Sequence, residues 1–268
     1  MGQPIWLPTV KIITWNVNSI RTRLERVLGV LERHQPDLLC LQETKVVDEV
    51  FPHEAIAELG YRAVVHGQKT YNGVALLSKE ELADVQNGFP GDPVPEQARV
   101  ISGSLNGVRV INAYVVNGKA LDDPKYTTKL QWLDALIDWL ESEHDPKQEL
   151  VMLGDFNIAP DERDVWDLDY WKDRIFFSPE EHARMARLRD WGLVDLFRQH
   201  SDEAGKFTWW DYRGGAFQRG HGLRIDLILG TPAIAARSQE VVIDRDERKK
   251  GTWEAKPSDH APVLVTCS

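Results

Sequence analysis

The chain has 268 residues, 42% hydrophobic and 28% charged, and its 32 lysines and arginines against 42 aspartates and glutamates leave a formal net charge of −10. That length suits one large α/β unit or two small ones, with a core large enough to need no disulfide framework. The acidity excludes a protein that holds nucleic acid chiefly by bulk positive charge, while a local basic rim can still grip phosphates around a carboxylate-rich site.

Residues 10–14 predict a strand. Leu24, Val27, Leu28 and Leu31 recur at helical spacing and predict an amphipathic helix over 20–33, which Pro36-Asp37 breaks. Short strands follow at 38–41 and 73–78. The apolar runs 100–105 and 108–115 flank Asn106-Gly107, a strong hairpin signal that makes part of the sheet antiparallel. Pro124 opens a helix with Leu133, Leu136, Ile137 and Leu140 on its buried face. Residues 150–153 predict a strand ending at Gly154.

The polar stretch 159–187 carries Trp166, Tyr170, Trp171, Phe176 and Phe177. It predicts an ordered excursion with a helix from about Pro179, and 206–222 is a second aromatic, glycine-rich excursion. Long ordered loops of this kind usually carry function. Strands at 225–229, 239–243 and 263–265 complete the pattern. No repeat, low-complexity tract or linker divides residues 1–268, so a single domain is expected.

Cys40 sits in an apolar run and reads as a small buried hydrophobe; with Cys267 the only other cysteine, a reducing compartment is expected. Residues 1–10 lack the basic-then-apolar order of a secretory leader, and no apolar run nears the roughly 18 residues that span a bilayer. A cytoplasmic protein without a membrane partner is expected.

Strand ends finish in polar residues: Asn16-Val17-Asn18, Gln42-Glu43-Thr44-Lys45, Asp155-Phe156-Asn157 and Ser258-Asp259-His260. Asp226 lies between Ile225 and Leu227, where a carboxylate is costly without a cation, a hydrogen-bonded histidine or a strand edge. Glu43 poses the same problem. Taken singly, any of these acids is as readily a surface group at a strand end. Together they make an oxygen-rich set suited to Mg²⁺, and an Asp226–His260 pair would hold an imidazole toward a phosphate. Zinc-ligand spacings, a phosphate loop, a dinucleotide fingerprint and a nucleophile elbow are absent.

Those blocks, in this order, resemble the signature of the endonuclease/exonuclease/phosphatase superfamily. Gln42-Glu43-Thr44-Lys45 and Leu223-Arg224-Ile225-Asp226-Leu227 narrow the resemblance to its exonuclease III and AP endonuclease branch, and it covers residues 10–265. The resemblance implies a four-layered α/β sandwich, two mixed sheets packed face to face with helices outside. It implies Glu43 as main metal ligand, with Asn18 near and Asp259 completing the shell, for Mg²⁺ with Mn²⁺ able to substitute. Asp155 would activate water. Asn16, Asn157 and Asn117 would hold the phosphate, beside Tyr114 and His260 oriented by Asp226.

Trp209, Leu223 and Ile225 resemble the walls of a pocket for an extrahelical abasic sugar, and Arg21, Lys45, Tyr71, Arg99, Lys119 and Arg213 are candidate DNA contacts. The implied activity is DNA-repair phosphodiester hydrolysis: incision 5′ to abasic sites, 3′–5′ exonuclease, and 3′-phosphodiesterase or phosphatase action. The implied partner is duplex DNA with abasic sites or blocked or recessed 3′ ends, bound by a monomer in a bacterial-type cytoplasm. The bulky 166–178 segment departs from the pattern: if Phe176 or Phe177 leans into the pocket, 3′-end trimming gains over abasic incision. Two other readings stay open. One is a superfamily phosphatase or phospholipase acting on inositol phosphate or sphingomyelin, against which the 42–45 and 223–227 blocks tell. The other is an inactive binding module, against which the complete set of blocks tells.

Overall fold

The computed structural model describes residues 9–251 and 253–268, so the leader reading of the first ten residues falls largely outside the described residues. Two six-stranded sheets form the centre. The first runs, in spatial order, β11 (Ser238–Ile243), β12 (Val263–Cys267), β1 (Val10–Asn16), β2 (Leu38–Gln42), β4 (Val74–Ser78), β3 (Arg62–His66). The second runs β5 (Ala83–Asn87), β6 (Val100–Leu105), β7 (Val108–Tyr114), β8 (Leu150–Asp155), β10 (Asp226–Gly230), β9 (Val194–Asp195). The pairs β1–β2 and β7–β8 are parallel and the other pairs antiparallel, so both sheets are mixed.

The sheets meet face to face through Ile12, Leu38, Cys40 and Leu76 on one side and Val110, Val151, Leu153 and Ile228 on the other. Helix α1 (Ile20–His34) covers the outer face of the first sheet, packing Val27, Val30 and Leu31 on Ile13, Leu39 and Leu41. Helices α2 (Pro124–Glu143) and α3 (Pro179–Trp191) cover the second through Trp132, Leu136, Leu140 and Leu188. This is the four-layered sandwich expected from the resemblance. Among the described residues, no helix is long and apolar enough to cross a membrane.

Local chemistry sets the element ends. The Asp123 side chain accepts from Lys125 N ahead of Pro124, which caps α2, and Ser178 and Glu181 close a capping box on α3. Asn106 and Gly107, at φ 51° and 85°, turn β6 into β7. Predicted elements recur within a residue or two. Strands β3, β5 and β9 were not predicted: all three are sheet edges, β5 is mostly exposed, and edge strands lack the apolar alternation that identifies a strand.

Alternate residues of a strand face one way. The inward series reads Val10, Ile12, Thr14, Asn16 on β1; Leu38, Cys40, Gln42 on β2; Val108, Val110, Asn112, Tyr114 on β7; and Val151, Leu153, Asp155 on β8. The space between the sheets is thus apolar at one end and polar at the other. Gly154 (φ 135°) lets β8 close on β7, since a Cβ there would lie 1.9 Å from the Ala113 carbonyl oxygen. The register then sets Tyr114 beside Asp155.

A buried ion cluster pins the loops beneath that end. The Arg224 guanidinium donates to Asp164 at 2.7 and 2.8 Å and to Asp195 at 2.6 Å, and Arg198 also binds Asp164. Removing the cation leaves buried carboxylates underpaired. Arg224→Met is expected to lower unfolding free energy by about 3–5 kcal/mol, read as a lower urea midpoint.

Candidate active site

The polar end of the sandwich gathers residues from both sheets. Asp226 opens β10 directly opposite Asp155 at the end of β8. Asn16 ends β1, and Glu43 follows β2. His260 lies just before β12 and bridges to Trp209, which in turn bridges to Leu223. Backbone turns aim several of these groups: Asn18, Glu43 and Asn157 have φ of 45°, 54° and 50°. Non-glycine residues reach that region only where surrounding structure holds them.

Asp155 is the centre. Its Oδ2 accepts from Asn16 Nδ2 at 2.9 Å, and its Oδ1 from the Asn157 amide at 2.9 Å. The other Asn16 Nδ2 proton goes to Glu43 Oε1 at 2.9 Å, while Asn16 Oδ1 accepts from Asn18 N. Asn16 is fully buried, and its amide couples the two carboxylates. Asn157 donates through Nδ2 to Val115 O at 3.0 Å and accepts from Asn117 Nδ2 at 2.9 Å.

His260 Nδ1 contacts both Asp226 oxygens, at 2.9 and 3.1 Å, and Nε2 stands 3.7 Å from Asp155 Oδ2. Asp226 therefore fixes the ring and leaves Nε2 facing the site. Burial opposes charge on this imidazole, yet the Asp226 and Asp155 carboxylates outweigh it and raise its pKa to about 10. Burial likewise pushes the Asp155 carboxyl up to about 7, against the pull of His260. Burial and the nearby Glu43 carboxylate hold the Tyr114 phenol well above its ordinary range.

Ligand atoms of Glu43, Asp155 and His260 lie within 4.8 Å of one another, a group able to hold a cation. With His260 Nδ1 committed to Asp226, the two carboxylates are the oxygen ligand candidates. Lys45 Nζ already sits on Glu43 Oε2 at 2.8 Å and Asn18 Oδ1 at 2.5 Å, so these oxygens converge on positive charge. The donors are hard oxygens, which fit Mg²⁺ or Mn²⁺ better than Zn²⁺. Asp259 stands apart from the three and accepts from Asn18 Nδ2 at 2.9 Å and Trp209 Nε1 at 3.1 Å.

Beside the site a cleft of about 590 Å³ is lined by Lys45, Tyr71, Arg99, Asn117, Lys119 and Lys125, among others. Tyr71 is 68% exposed there. Arg99, read from the sequence as a surface contact, is instead largely buried, with its guanidinium 4.7 Å over the Tyr114 ring and Nη1 donating to Tyr114 O. Arg21 and Arg213 are exposed, the latter beside the half-exposed Tyr212.

In the apolar recess Leu223 and Ile225 are buried in one cluster with Val165 and Phe177, against which Phe176 and Trp209 pack. Phe176 (φ 73°) stacks edge-on to Trp209 at 6.2 Å. Its backbone N–H donates to Glu181 Oε1 at 3.2 Å, and Lys129 Nζ lies 5.3 Å from its ring. Sequence reasoning missed Lys129 and Glu181. Lys129 is fully buried, donates to Asn157 O at 2.7 Å and pairs with Glu181. The signal was there: Lys129 falls on the α2 stripe of Tyr126, Leu133, Leu136 and Leu140.

The model of the endonuclease/exonuclease/phosphatase family matches residues 13–260. The chain is 39% identical over 266 residues to exodeoxyribonuclease III of Haemophilus influenzae, covering 95% of this chain and 98% of that protein. It superposes with TM-score 0.90 on a 3′ phosphatase from Neisseria solved with a product DNA hairpin, at 45% identity over 97% of this chain and 99% of that one. An AP endonuclease from Archaeoglobus fulgidus also superposes at 0.90, with 38% identity over 97% and 99% of the two chains. With this likeness covering nearly the whole chain in both sequence and fold, the chain belongs to the exonuclease III and AP endonuclease branch of the endonuclease/exonuclease/phosphatase family.

Proposed function

We propose that this exonuclease III-type nuclease uses Mg²⁺, with Mn²⁺ able to substitute, to hydrolyse phosphodiesters of damaged duplex DNA, and that it favours 3′ ends over internal abasic sites. The observation that carries the reading is the meeting of Glu43, Asp155 and His260 within 4.8 Å at the polar end of the sandwich. A single domain spanning the chain acts as a monomer in a bacterial-type cytoplasm. All blocks come together complete, which leaves the inactive-module reading without the lost block it requires.

Glu43 and Asp155 would hold the ion, with Asn18 and Asp259 near, and the ion would supply charge neutralisation at the phosphate. Asp155 accepts a proton from the attacking water. Asn16 keeps Asp155 and Glu43 at fixed separation. His260 Nε2 and the free Asn157 Nδ2 proton donate to the phosphoryl oxygens, where charge develops. Tyr114 stands beside them, held by Arg99. Asn117 steadies Asn157, and Lys45, Tyr71, Lys119, Arg21 and Arg213 contact the DNA backbone. The purified protein with Mg²⁺ is expected to degrade a recessed 3′ end, and failure of the folded protein to cleave DNA at all would overturn the reading. Glu43→Ala and His260→Ala are each expected to lower kcat by about 10²-fold or more in that assay.

The preference for 3′ ends follows from the filled recess. A flipped sugar needs the space over Trp209, Leu223 and Ile225 that Phe176 occupies. Phe176→Ala is expected to raise incision at a tetrahydrofuran site relative to 3′ trimming by about tenfold, measured on paired duplex substrates. An unchanged ratio would refute the role given to Phe176.

A further inference from the structure

Where the apolar interior ends and the site begins, two amides meet across the sandwich. Gln42 on β2 and Asn112 on β7 are both completely buried. Gln42 Nε2 donates to Asn112 Oδ1 at 2.7 Å and to Thr14 Oγ1 at 2.9 Å. Asn112 Nδ2 donates in return to the main chain of the opposite sheet, to Leu41 O at 3.0 Å and Ala75 O at 3.1 Å. One side chain of the second sheet thus grips two neighbouring strands of the first.

Stability does not explain the pair. Gln42 Oε1 is buried and has no partner among the described residues, and an unmet buried acceptor is destabilising. Apolar side chains of similar size would fill the same space without that cost, as for other buried polar pairs. What amides supply and leucines do not is direction. Apolar faces packed together tolerate small slides, because the hydrophobic effect has no orientation. Hydrogen bonds of 2.7–3.1 Å do not.

Both residues stand one step from the chemistry. Glu43 directly follows Gln42. Asn112 lies opposite Leu153 in the β7–β8 ladder, so Tyr114 and Asp155, two residues on and on the same inward face, follow it rigidly. We infer that Gln42 and Asn112 are positioning residues that lock the two sheets in register and so set Glu43 of one against Asp155 and Tyr114 of the other. A lone buried asparagine sets register in the same way between coiled-coil helices. The inference rests on the roles proposed above for Glu43 and Asp155.

The test is the double variant Gln42→Leu/Asn112→Leu, which removes both amides and the unmet Gln42 Oε1 together, while Thr14 Oγ1 and the Leu41 and Ala75 carbonyls each lose a donor. Three quantities are compared with the unaltered protein: thermal unfolding temperature, Mn²⁺ affinity by calorimetry without DNA, and kcat and KM on a duplex with a recessed 3′ end. The expected result is an unfolding temperature close to that of the unaltered protein, Mn²⁺ bound about tenfold more weakly, and kcat down by about ten- to a hundredfold with KM changed far less, as for small misplacements of reacting groups. Unchanged kcat and Mn²⁺ affinity would overturn the inference. So would a lower unfolding temperature with kcat intact, which is what a purely structural pair produces. Should the double variant fail to fold, Asn112→Ser, which drops the ties while keeping a small polar side chain, is judged by the same readouts. If the unaltered protein cleaves no DNA, the reading of the site fails, and Mn²⁺ affinity alone then decides the inference.

Discussion

A carboxylate taken out of water must be answered by the protein, and Asp155 is 1% exposed. The answers come from separate parts of the chain: the Asn16 amide at the end of β1, the Asn157 backbone just beyond β8, and the His260 ring before β12. Those groups can converge only if the two sheets pack with their polar ends together. Much else follows from this requirement. Gly154 lets β8 close on β7, and the bridges from Trp209 to Leu223 and His260 tie the loops over the same point. The same burial that makes Asp155 costly pushes its carboxyl up to about 7.

Neither sheet alone contains the site. Glu43, Asn16 and Asn18 come from the first sheet and its strand ends, with Asp259 and His260 just ahead of β12. Tyr114, Asp155, Asn157 and Asp226 come from the second. The sandwich interior therefore sets how Glu43 and Asp155, from facing sheets, stand to one another. That makes polar atoms inside the layer informative: apolar packing holds sheets together, whereas hydrogen bonds say where they stop.

The loops then modify what this frame can accept. Phe176 holds a backbone conformation uncommon for an aromatic residue, kept there by the carboxylate of Glu181 and the carbonyl partner it gives to Ala159 N. Glu181 is in turn paired with Lys129, which also binds the carbonyl of Asn157. The segment that fills the apolar recess and the loop that carries Asn157 thus share one buried anchor. Substrate preference on a common frame is written in such excursions, because they vary without disturbing the packed sheets.

The sequence by itself determined a good deal. Its periodicities located α1, α2 and most central strands, and the turn chemistry of Asn106-Gly107 placed the β6–β7 hairpin. The four polar strand ends named residues that meet at the polar end of the sandwich, and Asp226 was singled out by the cost of an acid between apolar neighbours. Edge strands β3, β5 and β9 stayed hidden because half-solvated strands carry little pattern. Tertiary structure alone decided who touches whom. Asn16 joins two carboxylates, Arg99 lies over the Tyr114 ring, and Leu223 and Ile225 sit in an apolar cluster against which Phe176 packs. Lys129, Gln42 and Asn112 acquired meaning through partners at least 28 residues away in sequence, and Glu181 through Lys129. The reason is physical: propensity and periodicity are properties of neighbouring residues, whereas the burial and hydrogen bonding of a polar side chain depend on which distant strands pack against it.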